Sequence, residues 1–210
     1  MNVKPTRNRF ADVTAAAVSA FHDASLASPD WARSAAAQFA DGAWKYIEVN
    51  HRFNSLLWDE EDQARRMDVS DSAIAANKRA IDRYNQGRQD AIERVDESLL
   101  QRLADVQPAA GARQNSETAG SMIDRLSILS LKILNMHRQT ERTDAGPAHV
   151  EACRAKLATL REQRADLQRC LDRLLAEAAR GETYFKVYRQ YKMYNDPTLN
   201  PYLYGSKRGS

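Results

Sequence analysis

Apolar residues recur at three- and four-residue steps along almost the whole chain, and no stretch alternates apolar and polar residues as a strand would. That rhythm restricts the fold to helices packed on helices. Only eight glycines interrupt 210 residues, so there are few points at which the chain can turn. The reading is an all-α protein, an elongated bundle of about five to six helices. Residues 1–8 form a loose leader, and a first helix covers 9–25 with Phe10, Val13, Ala17 and Phe21 on one face. Ser28 and Pro29 start a second helix, from about 29 to 66, bent near Asp41–Gly42. A third covers 71–104 behind a cap at Asp68 or Ser70, and 105–115 is the clearest loop. Ser116 caps a fourth helix that ends near Thr140. A fifth spans 148–180 and stops at Gly181. A short aromatic helix follows over 183–194, and 195–210 is an irregular tail. All of 1–210 reads as one domain, with the bundle at 9–194. A 35-residue helix is about 52 Å long, whereas a compact globule of this size has a radius of gyration of about 17 Å, so the bundle reads as elongated.

Composition excludes several classes. No run approaches eighteen consecutive apolar residues, so no membrane span is expected. The N-terminus puts basic residues before an alanine-rich stretch, but Asp12 interrupts it and the stretch keeps helical periodicity, so it reads as a folded helix rather than an export signal. Cys153 and Cys170 lie seventeen apart, match no metal-ligand spacing and fit helix positions, which points to reduced thiols in a cytoplasmic protein. Lys and Arg number 31 against 28 acidic residues, a formal charge of +3. The arginines are spread among acidic neighbours, and only the terminal GSKRGS is locally basic, so no nucleic-acid partner is expected.

The fifth helix carries an ordinary apolar seam of Val150, Cys153, Leu157, Leu160, Leu167, Leu171, Leu174 and Ala178, with Arg164 as its one charged member. The stem of Arg164 is expected to cover the seam while its guanidinium reaches an acid at the edge. The second helix differs. Trp44, Ile47, His51, Ser55, Trp58, Asp62 and Arg65 share one side, with Asn54 beside them, so polar groups fall inside the buried stripe. In the third, Arg88 projects into a stripe of Ile74, Ile81, Tyr84, Ile92, Val95, Leu99 and Leu103, with Asn85 near its edge and Lys78, Asp82 and Asp96 flanking it. An arginine among isoleucines requires a carboxylate or a bound anion. The fourth helix is apolar over most of its circumference, which makes it central, yet it carries Arg125 and Lys132 on one face and Asp124 on another. Glu117, Thr118 and Gly120 precede them, and free amides at that helix start could hold an anion. Gathered together, these groups read either as a self-satisfied buried network or as the lining of a polar interhelical cavity, and so many core charges favour the cavity.

Three chemistries could draw on these groups. A diiron or dimanganese bundle needs two Glu-x-x-His pairs, and only Glu48 and His51 have that spacing. A magnesium-dependent nucleotide or phosphoester hydrolase would use carboxylates such as Glu93 and Asp96, supplemented by Glu61 and Asp62. A general acid–base site would place His51 near Asp62 or Asp82, with arginines clamping an anionic substrate. No nucleophilic serine or cysteine has an evident base. No cofactor and no metal ligand set is indicated. Tyr184, Tyr188 and Tyr191 interleave with Lys186, Arg189 and Lys192, a pattern that reads as a seam on the bundle or a partner interface rather than an RNA platform.

The segments HRFNSLLWDEEDQARR, KRAIDRYNQGRQDAIERVD and NSETAGSMIDRLSILSLKILNMH, with the closing FKVYRQYKMYNDPTLNP, resemble the bacterial family of uncharacterised proteins known as domain of unknown function 4254 (DUF4254). On those motifs fall His51, Asn54, Trp58, Glu61, Asp62, Lys78, Asp82, Asn85, Arg88, Glu93, Asp96, Glu117, Asp124, Arg125 and Lys132. The resemblance implies a setting near sugar transfer and cell-envelope polysaccharide synthesis, and no mechanism. The expectation is a protein that binds an anionic small molecule such as a phosphorylated sugar or sugar nucleotide. Arg88, Arg125 and Lys132 would neutralise it, with Lys78 and Glu117 also in the ligand set. Asn54 and Asn85 would orient it, and Trp58 would wall the pocket. His51, Asp62 and Asp82 would serve as acid–base groups were turnover to follow. The rival expectation is a structural or interaction protein, a homodimer or an accessory to a glycosyltransferase.

Overall fold

The computed structural model describes residues 9–34 and 36–205, without the side chain of Ser34. The leader at 1–8 and the basic end of the tail at 206–210 lie outside the described residues. The fold is an all-α multi-helix bundle. Helices α1 (Ala15–Leu26), α2 (Trp31–Ser34), α3 (Gly42–Gln63) and α4 (Asp71–Gln101) are followed by α5 (Ala119–Thr140), α6 (Pro147–Ala179) and a short α7 (Pro201–Tyr204). Two-residue strands β1 (Arg113–Gln114) and β2 (Thr183–Tyr184) pair in parallel. Short loops join α3 to α4 and α5 to α6, and each pair packs along its length. As its apolar circumference predicts, α5 is central: it packs against α1, α3, α4 and α6. Val13, Val18, Ile47, Val95, Leu99, Ile123, Leu126 and Leu171 are wholly or almost wholly buried around it. At 1.5 Å per residue the 33-residue α6 spans about 50 Å.

Helix starts follow their capping chemistry. Ser70 accepts a hydrogen bond from the Ala73 amide at the head of α4, and Gly146 precedes Pro147 at the head of α6. Thr118, not Ser116, caps α5 through the Ser121 amide. The expected helix over 29–66 is two helices. Asp30 at φ 55° and Gly42 at φ 64° take left-handed backbone on either side of α2, and residues 36–41 are not helical. A buried carboxylate holds that interruption: Glu48 accepts from the amides of Gln38 (2.9 Å) and Phe39 (3.1 Å). Arg52 bonds Glu48 at 2.8 Å, reaches the Trp31 and Ala36 carbonyls and lies over the Trp31 ring. A strong local ion pair therefore overrides the helical rhythm of the segment before it.

The aromatic segment over 183–194 is not an α-helix either, and only its end enters a single 3-10 turn, Met193–Asn195. Gly181 turns the chain at φ 74°, where a Cβ would meet the Gln107 carbonyl at 2.7 Å. The chain then runs extended, with the Arg113 and Asn115 amides donating to the Glu182 and Tyr184 carbonyls. Phe185 is buried in the core. Arg189 bonds Glu93 at 2.8 Å and also pairs with Glu97, while the Gln190 amide donates to Glu93. These long-range bonds replace the intrahelical ones. Arg164 behaves as its sequence position predicts and reaches Asp23 at 2.8 Å.

Candidate functional site

The polar residues of the α3 stripe face α5. Asp124 accepts from the side-chain amides of Asn50 and Asn54, each at 2.8 Å. Asn54 also donates to the Ser127 hydroxyl at 3.0 Å. Ser127 lies 2.7 Å from His51 Nδ1, and His51 Nε2 lies 3.2 Å from the His22 carbonyl. A carbonyl only accepts, so Nε2 carries the proton and Nδ1 accepts from the Ser127 hydroxyl. Burial pushes the His51 imidazole down to about 4, which keeps it neutral in this arrangement. His22 stacks at 4.4 Å between ring centroids, fully buried, with neither ring nitrogen hydrogen-bonded. Burial, then the neighbouring His51 and Arg164, hold it well below the ordinary histidine range.

This row of bonded side chains ends at Arg88. Its Nε is buried without an acceptor and lies 4.0 Å from an Asp124 oxygen that already takes two amides. Arg88 makes no hydrogen bond to any described residue, and its side chain stays 31% exposed. It lines a hollow of about 380 Å³ with Asn54, Trp58, Asp62 and Arg65. Trp58 and Asp62 also line a second hollow of about 620 Å³, with Lys132 and Gln163. Lys132 and Gln163 in turn line a third, of about 880 Å³, beside Glu117, Arg125 and Arg173. The three share residues in series, so they form one groove over the outer strip of α5. Trp58 is half-buried, and Arg125 and Lys132 are exposed.

Asn54, Trp58, Asp62, Arg88, Glu117, Arg125 and Lys132 thus line one groove. Arg125 is occupied by an ion pair with Glu117, whereas Lys132 has no ion-pair partner among the described residues. His51 lies behind the groove, against Ser127. Lys78 and Asp82 stand apart, paired with each other on the exposed side of α4, and Asn85 is half-buried outside the three hollows. The free amides expected at the start of α5 are partly taken: Gly120 donates to the Asp96 carboxylate at 2.7 Å. Burial pushes Asp96 up to about 6, against the opposing pull of the Thr118 hydroxyl and the Gly120 amide.

Sequence reasoning overlooked Asn50, Ser127 and His22, and treated Asp124 as lying on a separate face. A signal existed for the first two: Asn50 is one turn before Asn54, and Ser127 is three residues after Asp124, so each pair shares a helix face. Nothing in α1 marks His22. Among the described residues, no group of three or more His, Cys, Asp or Glu side chains is placed to hold a metal ion. No helix among them is long and apolar enough to cross a membrane.

Comparison with known proteins adds one match. The family described as a protein of unknown function (DUF4254) matches residues 44–187, from the first turn of α3 to just beyond β2. No curated protein matches, and no solved structure does.

Proposed function

Given that the chain belongs to the DUF4254 family, whose description assigns no activity, we propose that it binds an anionic small molecule in the groove over α5. One observation carries this reading. Arg88 is two-thirds enclosed, makes no hydrogen bond and lies against a carboxylate already engaged by two amides. A guanidinium in that state offers its paired N–H donors to an oxyanion. Trp58 supplies a flat wall for a ring, and Lys132 adds a second cation farther along. A phosphorylated sugar or sugar nucleotide is the ligand class of this proposal, in polysaccharide synthesis. His51 then acts at second hand: through Ser127 and Asn54 it fixes the carboxylate behind Arg88.

The test is thermal shift and calorimetry with phosphosugars and sugar nucleotides, with and without magnesium. At least one should raise the Tm of the wild-type protein, and Arg88→Ala should abolish that rise. A panel without effect, or a rise that persists in Arg88→Ala, refutes the reading.

A second reading, a non-catalytic interaction protein such as a glycosyltransferase accessory, draws on the C-terminal segment. Tyr191, Met193, Tyr194, Tyr202 and Tyr204 are all exposed there. The metal-dependent hydrolase has less support. Its carboxylates Glu93 and Asp96 already hold Arg189, the Gln190 amide and the Gly120 amide.

A further inference from the structure

The charges around Arg88 bear on which anion it accepts. Two cations, Arg65 and Arg88, and two carboxylates, Glu61 and Asp62, line its hollow. Arg65 is already paired with Glu61 at 3.0 Å. Asp62 has no side-chain partner among the described residues, and Asp124 stands behind Arg88. The hollow therefore offers one incompletely neutralised positive charge and faces it with two carboxylates. A second negative charge on a ligand would meet Asp62 and Asp124 with no further cation in this hollow to offset it.

We propose that the Arg88 hollow selects a ring-bearing ligand with a single negative charge at the group Arg88 holds, a carboxylate or an esterified phosphate, over a terminal phosphate monoester. This rests on the anion-binding reading above. Asp62 supplies the other half of the recognition: an unpaired carboxylate accepts hydrogen bonds from hydroxyl or amino groups on the far edge of the ring, while Trp58 faces the ring itself. The ligand is thus a hydroxylated or amino-bearing monoanion, and the same carboxylate that orients it repels the dianion.

A phosphate monoester tests this directly, because it passes from monoanion to dianion with a pKa of about 6. The full chain is titrated calorimetrically with glucose 1-phosphate, glucuronate and the methyl phosphodiester of glucose 1-phosphate at pH 5.5 and pH 8. Glucose 1-phosphate should bind about three- to tenfold more weakly at pH 8 than at pH 5.5. Glucuronate should be unchanged between the two, which controls for titration of the protein. At pH 8, glucuronate, the methyl phosphodiester or both should bind more tightly than glucose 1-phosphate, and which of them does so identifies the carboxylate or the phosphodiester as the preferred source. Asp62→Asn, an exposed position whose replacement leaves the fold intact, should erase most of the pH effect on glucose 1-phosphate. Equal or tighter binding of glucose 1-phosphate at pH 8, or a pH effect untouched by Asp62→Asn, overturns the selectivity while leaving an anion site. Absence of binding by all three probes overturns both.

Discussion

The two sides of α5 are built from different materials. Toward α6 the contact is apolar, with Leu126 and Leu129 in one cluster with Leu167, Leu171 and Leu174. Toward α3 and α4 it is polar, with Asp124 and Ser127 meeting Asn50, Asn54, His51 and Arg88. Apolar packing tolerates small shifts, because dispersion and burial have no preferred direction. A row of buried hydrogen bonds has direction, and leaving one member unpaired incurs the full desolvation penalty. The apolar side therefore holds the bundle together, and the polar side sets the position of one guanidinium at its edge.

Asp124→Ala is the harshest test of that contrast. It strips Asn50 and Asn54 of their shared acceptor and should cost about 3 kcal/mol in urea unfolding. Acid should expose the same side by a comparable amount. The folded His51 takes its proton only near pH 4, whereas an unfolded histidine takes it near 6.5. Its contribution is therefore complete above pH 6.5 and is lost as the pH falls toward 4, about 3 kcal/mol in all. Asp96 works in the opposite sense: its folded pKa of about 6 lies above the unfolded value, so its ionised form is the strained one. Asp96→Asn should stabilise the protein at pH 8 and steepen the acid loss, as followed by chemical denaturation across pH 4–8.

Gly120→Ala probes the junction between the polar row and α4. Its Cβ would meet the Ile92 carbonyl at 2.5 Å and the Asp96 carboxylate at 2.9 Å, and a loss of about 2 kcal/mol is expected. His22→Leu sharpens the contrast from the other direction. It removes two buried ring nitrogens that bond nothing and should raise stability by about 1 kcal/mol. Arg88→Ala should change unfolding by less than about 1 kcal/mol, because its only partner among the described residues is 4.0 Å away. A large loss there would mean that Arg88 belongs to the scaffold.

The bundle was legible in the sequence because burial imposes a helical period that every core position repeats. Caps such as Ser70 and the termination near Gly181 were legible for local reasons. The breaks were not. The interruption before α3 depends on Glu48 capturing amides nine and ten residues earlier, and the extended 183–192 segment depends on carboxylates of α4 about 95 residues away. Neither pairing leaves a periodic trace. The candidate site was legible in part for a similar reason. Helical spacing turned Asn54, Trp58 and Arg88 inward, as they are, but it also turned Asp62 inward, which is exposed at the groove, and it could not show that Asp124 turns toward α3 and that Arg125 and Lys132 lie on the uncovered strip of α5. Lys78 and Asp82 are four apart and simply satisfy each other.

The parallel ladder between Arg113–Gln114 and Thr183–Tyr184 has a consequence for the order of assembly. It joins positions seventy residues apart, and everything between them is the α5–α6 hairpin. Two residues of ladder cannot repay the entropy of closing so long a loop. The hairpin must dock first and bring the strand ends within reach, so the second strand settles last, and during synthesis the seam cannot close until Thr183 and Tyr184 have left the ribosome.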